Sequence, residues 1–167
     1  MGERAEVIRS GTDWAQIEKN IREIKKECPH IDFMISPTLS VMNVWNFCKF
    51  HRYMVDQGFI EAKDLNVNIL QSPNSYRIDI LPLDVKLKLK KEFEEHLDWL
   101  RPLDSLHRAS GGFEAAIKFM METDNTQLLG EFWQTTTSLD WCRTESLLAV
   151  VPELESIVQY KPTDTRK

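Results

Sequence analysis

Cys48 and His51 stand three residues apart, so a helix through them would carry a thiol and an imidazole on one face, a spacing that can hold zinc. A zinc site takes three or four ligands, and no second close pair accompanies these two. The ligand count therefore favours a buried cysteine beside a core or surface histidine. Glu92 and His96 lie four apart without an HExxH pattern or a matching glutamate, and read as a solvated helix face. No nucleophile elbow is present, and nothing around Cys142 supports a catalytic triad. Ser40-Val41-Met42-Asn43 is a different case. It falls at the C-terminal end of a predicted parallel strand, where βα folds place ligand-binding groups. Serine and asparagine there could hydrogen-bond a polar cofactor without adding charge. The competing reading is a strand end whose Asn43 caps the next helix.

These residues need elements to position them. Trp14, Ile17, Ile21, Ile24 and Cys28 recur at helical spacing, which predicts an amphipathic helix capped by Thr12 and stopped by Pro29. Residues 31–41 are short, apolar and rich in β-formers, a buried strand with an irregularity at Pro37. A helix over residues 44–57 follows, with Val44, Phe47, Cys48, His51 and Met54 as its inner stripe and Gly58 as its C-cap. Residues 65–70 and 76–81 read as two strands around a Gln71-Ser72-Pro73-Asn74-Ser75 turn. In the second, Tyr76, Ile78 and Ile80 alternate with Arg77 and Asp79. Residues 84–100 fit a helix better than a strand, through the stripe Val85, Leu89, Phe93, Leu97 and Leu100. Lys86, Lys88, Lys90 and Lys91 on that helix are balanced by Glu92, Glu94 and Glu95, a self-paired solvated face.

From there the pattern is helical: one helix opening after Gly111-Gly112, another from Leu128 toward Arg143, and a short turn closed by Pro152. Trp14, Phe93 and Phe132 belong to core stripes, whereas Trp99 and Trp141 fall off them, and packing between elements explains these aromatics better than a base-stacking surface. The fold class is α/β, or α+β overall. Residues 1–81 form an αβ-alternating part, residues 82–160 a helical part, and residues 161–167 a polar tail. An αβαββ fragment is an incomplete sheet whose first strand would have few partners.

Composition closes off several functions. The chain has 167 residues, enough for one domain, and is 42% hydrophobic and 28% charged, an ordinary globular balance. Its 21 basic and 26 acidic side chains leave a net charge of −5, with no basic half, so nucleic acid is not expected as a partner. Six scattered glycines do not make a phosphate cradle. Three widely spaced cysteines suit a reducing cytoplasm better than a disulfide framework. The N-terminus lacks the apolar core of a signal peptide, and no run of about 18 apolar residues offers a membrane span. A cytoplasmic protein is the expectation.

Several stretches, in order, resemble one family. Gly2-Glu3-Arg4-Ala5-Glu6-Val7-Ile8-Arg9-Ser10-Gly11-Thr12-Asp13-Trp14 looks like the segment after the fourth barrel strand of radical S-adenosylmethionine proteins with a SPASM or twitch extension. Asp32-Phe33-Met34-Ile35-Ser36-Pro37-Thr38-Leu39-Ser40-Val41-Met42-Asn43 resembles their fifth strand, with its Thr/Ser-x-x-Asn ending, and Asn66-Val67-Asn68-Ile69-Leu70-Gln71 is similar to the sixth. Ser110-Gly111-Gly112-Phe113-Glu114, Leu139-Asp140-x-x-Arg143 and Val151-Pro152-Glu153-Leu154 are like the C-terminal part of twitch-type members.

The resemblance implies the end of a partial (β/α) barrel followed by a helical twitch-like extension. It also implies a cofactor, S-adenosylmethionine. Ser40 and Asn43 match fifth-strand positions beside that cofactor's methionine and ribose portions, and Arg9 matches an arginine that approaches its carboxylate. Such proteins make a 5′-deoxyadenosyl radical with a [4Fe–4S] cluster held by a Cys-x3-Cys-x2-Cys motif, and modify a peptide, protein or small substrate. This chain lacks that motif, the first three barrel strands and the extension's own cluster cysteines. Cys28, Cys48 and Cys142 are 20 and 94 residues apart. The expectation is a C-terminal fragment or split half, inactive by itself and completed by an N-terminal half carrying the cluster. No catalytic residue or metal ligand is assigned. The alternatives are a non-catalytic protein- or peptide-binding module and a truncated gene product, with self-association through the open sheet edge.

Overall fold

A computed structural model describes residues 1–160; residues 161–167, the polar tail of the sequence reading, lie outside the described residues. The chain is mixed but mostly helical. Helix α1 (Glu3–Ile8) and helix α2 (Trp14–Glu27) come first. The α2 stripe is as expected, but Asp13, not Thr12, caps it, its carboxylate accepting the Gln16 N–H at 2.9 Å. A carboxylate one residue nearer the first turn reaches the free N–H groups better, and it also favours the positive end of the helix dipole.

Strand β1 (Thr38–Leu39) pairs in parallel with β2 (Asn68–Ile69), Thr38 opposite Asn68 and Leu39 opposite Ile69. Between them runs helix α3 (Phe47–Asp56), led in by the turn Val44–Asn46, so the unit is β-α-β as a parallel pair requires. The pairing begins earlier, at an Ile35–Leu65 bridge, and Pro37 separates the two pieces because it has no N–H to give the ladder. One face of this ribbon is polar and exposed: Asn66 donates to the Ser36 hydroxyl at 3.1 Å and Asn68 to the Thr38 hydroxyl at 3.2 Å. Among the described residues the sheet consists of β1 and β2.

The expected third strand at residues 76–81 is not one. The chain makes tight turns at Asn74–Tyr76 and Ile78–Ile80. Asp79 decides this. Instead of facing solvent opposite Ile78, its carboxylate is buried and takes bonds from Thr123 Oγ1 at 3.1 Å, Asn125 Nδ2 at 2.8 Å and the Arg77 guanidinium. Three consecutive inward side chains are incompatible with a strand's alternation.

The remaining helices are α4 (Leu83–Leu100), α5 (Arg108–Glu122), α6 (Leu129–Arg143) and α7 (Leu147–Val150), followed by the turn Pro152–Tyr160. Helix α5 starts before Gly111-Gly112, not after. Asp104 is fully buried and accepts the Arg108 N–H at 3.0 Å, the Ser110 N–H at 2.8 Å and the Ser110 hydroxyl at 2.8 Å, so the first turn is capped from a distance. Gly112 is needed inside the helix because a Cβ there would meet Val67 Cβ and Cγ2 at 2.9 Å. On α4 the stripe Val85, Leu89, Phe93, Leu97 and Leu100 is buried throughout. A single apolar core runs through the molecule from Ile21 to Ile157, joining residues from both sides of position 82. Each of its fully buried Leu or Phe side chains contributes about 1.5–3 kcal/mol by leaving water.

Candidate functional site

Two clefts open on either side of α1. Both lie near the carboxyl end of β1, and Ile8 and Asn43 line both of them. The first has a volume of about 570 Å³ and sits between α1, α2 and α3. Apolar and aromatic side chains (Ile8, Trp14, Phe47, Phe50) form its walls, and Arg4, Arg9 and Asp13 supply its charge. The second, about 410 Å³, lies between α1, the carboxyl ends of the strands and α6.

The three residues assigned from the resemblance fall on these clefts. Arg9 and Asn43 line the first, and Ser40 and Asn43 the second. Arg9 is exposed, and among the described residues its guanidinium has no hydrogen-bond or ion-pair partner. Arg4 is partly engaged: its Nε donates to the Val150 carbonyl at 3.1 Å and its Nη2 pairs with Glu153 at 2.9 Å, while among the described residues its buried Nη1 has no hydrogen-bond partner. Asn43 holds the end of β1 together, its Oδ1 accepting the Ser40 N–H at 2.9 Å and its Nδ2 donating to the Thr38 carbonyl at 2.8 Å. It does so without capping the following turn. An amide has two donor hydrogens and two acceptor lone pairs, so one of each remains. The Ser40 side chain accepts the Met42 N–H at 3.3 Å, leaving its own hydrogen to donate.

A second constellation was not visible as one in the sequence. His51 on α3 and His96 on α4 meet in the core, Nδ1 of His51 2.9 Å from Nε2 of His96. The Ala62 carbonyl, 2.9 Å from His51 Nε2, demands a hydrogen there. In a neutral pair His51 Nδ1 is then the acceptor and His96 Nε2 the donor, which leaves His96 Nδ1 a buried acceptor with no partner among the described residues. Phe113 stacks on His51 with rings 5.7 Å apart, and Trp99 closes the pair from the side. Burial pushes His51 down to about 4 and His96 to about 3, with Arg52 adding repulsion to both. His96 is therefore a core residue, not the solvated one its spacing from Glu92 suggested. A signal was present: position 96 lies three after Phe93 and four before Leu100, both on the buried stripe.

Cys48, beside this pair, is a half-buried free thiol pushed up to about 12 by burial and then by Glu92, so it stays protonated at neutral pH. Among the described residues, no group of three or more His, Cys, Asp or Glu side chains is placed to hold a metal ion. No helix among them is long and apolar enough to cross a membrane. Lys86 departs from the solvated lysine face; it is buried and donates to the Thr123 carbonyl at 2.7 Å. Lys90 and Lys91 do pair with Glu94 and Glu95, each at 3.7 Å. Trp141 is 82% exposed, while Trp99 is half-buried under the Arg52 guanidinium. In comparisons with family models, curated proteins and solved structures, nothing matches this chain.

Proposed function

We propose that this chain is the C-terminal portion, natural or split, of a radical S-adenosylmethionine protein of the twitch type, and that it supplies one wall of the cofactor site. The observation that carries the reading is the unit β1-α3-β2 with Ser40 and Asn43 after its first strand and Arg9 sharing the first cleft with Asn43, while Ser40 lines the neighbouring one. Parallel strands bind ligands at that end. A pair this small, which among the described residues has no further strand on either outer edge, also suits a sheet completed by other strands.

The first cleft suits such a cofactor chemically. The free Arg9 guanidinium offers a charge-assisted bond to a carboxylate. Asp13 and the faces of Trp14, Phe47 and Phe50 offer a carboxylate and π-systems to a sulfonium cation or an adenine ring. When bound beside a cluster, the cofactor would supply the radical chemistry; these residues would bind and orient it. The cluster belongs to the N-terminal half that the reading requires, and the substrate, peptide, protein or small molecule, is set there as well.

The test is an NMR titration of the chain with S-adenosylmethionine. Shift changes should centre on Arg9, Asn43 and Trp14, and Arg9→Ala should weaken binding by about tenfold or more. Changes scattered elsewhere, or an affinity indifferent to Arg9, would refute the assignment. A second reading, a non-catalytic protein- or peptide-binding module, is favoured by exposed leucines on the helical part: Leu83 and Leu87 share a face of α4 at 64% and 52% exposure. Selective capture of a protein by a chain indifferent to S-adenosylmethionine would establish that one instead.

A further inference from the structure

The second cleft has a feature the cofactor reading does not use. Two hydroxyls on its lining residues, Tyr76 Oη and Thr136 Oγ1, are buried and have no hydrogen-bond partner among the described residues. Tyr76 is 9% exposed and Thr136 2%. They come from different elements, the turn Asn74–Tyr76 and helix α6. Tyr76 is held in place by an edge-on contact with Phe132, rings 5.4 Å apart, one helical turn before Thr136. A buried hydroxyl left unpaired costs about 1–3 kcal/mol, so a polar ligand that bonds to both would recover that cost.

The surroundings select the kind of group. Both hydroxyls can donate and accept, which matches a partner that does both. The ionisable side chains lining the cleft are Asp140, Arg143 and Glu145, one positive charge against two negative, which disfavours an anion. Asp140 is already engaged, accepting the Leu147 N–H at 3.1 Å and 3.2 Å. The rest of the wall is aliphatic, from Val7, Ile8, Leu70 and Leu139. We infer that this cleft is a binding site for an uncharged amide with an aliphatic flank, such as a peptide unit or a side-chain carboxamide, held by Tyr76 and Thr136.

The experiment uses the full chain and two probes, N-acetyl-leucinamide and its acid, N-acetyl-leucine, titrated by NMR. The amide should move the Tyr76 and Thr136 signals saturably, and the acid should bind at least tenfold more weakly. Tyr76→Phe and Thr136→Val, which remove only the hydroxyls, should each weaken amide binding about fivefold, one neutral hydrogen bond's worth. Because the hydroxyls are unpaired in the free chain, both variants should unfold at an unchanged or higher denaturant midpoint. The inference is overturned if the amide fails to saturate at millimolar concentration, if the acid binds as well, or if the variants bind normally. A lower denaturant midpoint overturns it too, since it would mean the hydroxyls already serve the fold. Arg9→Ala should leave amide binding intact, which separates this site from the cofactor cleft.

Discussion

Protonating His51 or His96 in the folded chain would place a cation in the core between Phe113, Trp99 and Arg52, where the Asp104 carboxylate offsets part of the cost at His51. Folded values of about 4 and about 3 lie below the ordinary 6.5, so between pH 6.5 and about 4 the unfolded chain binds protons that the folded chain refuses. Stability therefore rises with pH through that window, by up to about 1.4 kcal/mol per pH unit for each imidazole, and levels off above it. Urea unfolding at pH 7.5 and pH 5 should show the loss before the carboxylates titrate. A His51→Phe/His96→Leu variant should flatten the curve; equal midpoints in the parent chain at the two values would refute neutral burial. Part of this pair was legible, since His51 lay on a predicted inner stripe. That His96 would face it was not, because periodicity places a residue on a face but does not say which helix that face meets.

At the scale of elements, α5 is set against Val67, the residue leading into β2, by one missing methyl group. Gly112→Ala would gain about 1 kcal/mol of helix propensity and lose more by forcing Val67 aside, since a β-branched side chain at 2.9 Å has no flexible end to withdraw. The net effect should be a destabilisation of about 1–3 kcal/mol by denaturant titration, relieved in part by a second substitution Val67→Ala, which removes Cγ2 but keeps Cβ at 2.9 Å, and more fully by Val67→Gly. An unchanged midpoint for the single variant would contradict that packing. Asp79 has the opposite character, a buried carboxylate knitting the turn Ile78–Ile80 to the end of α5. Asp79→Ala removes the shared acceptor of Thr123, Asn125 and Arg77, whose donors lie near enough to the surface to turn to water, and should cost about 1–3 kcal/mol. A loss under about 1 kcal/mol would mean the network is dispensable. These two residues also mark where sequence reading stopped. The helices α2, α3, α4 and α6 were readable because each carries its own stripe. The start of α5 and the turns at residues 74–80 were not, because Asp104, Val67 and the loop after α5 dictate them from a distance, and local alternation at Tyr76, Ile78 and Ile80 imitated a strand.

At the scale of the molecule, a helical body closes one core around a very small parallel pair whose outer edges, among the described residues, meet no other strand. The sequence put Ser40 and Asn43 at the end of the first strand, and the resemblance added Arg9 as a residue that would approach the cofactor's carboxylate. Their division between two clefts depends on how α1 lies across the strand ends, and no local pattern encodes that. The proposed cofactor wall is tested most directly by calorimetric titration of the full chain with S-adenosylmethionine and, separately, with S-adenosylhomocysteine, which keeps the carboxylate and adenine but lacks the sulfonium charge. The account predicts one-to-one saturable binding of the first with a Kd below about 1 mM, several-fold weaker binding of the second, and loss of both on Arg9→Ala. No saturable heat from S-adenosylmethionine would contradict it.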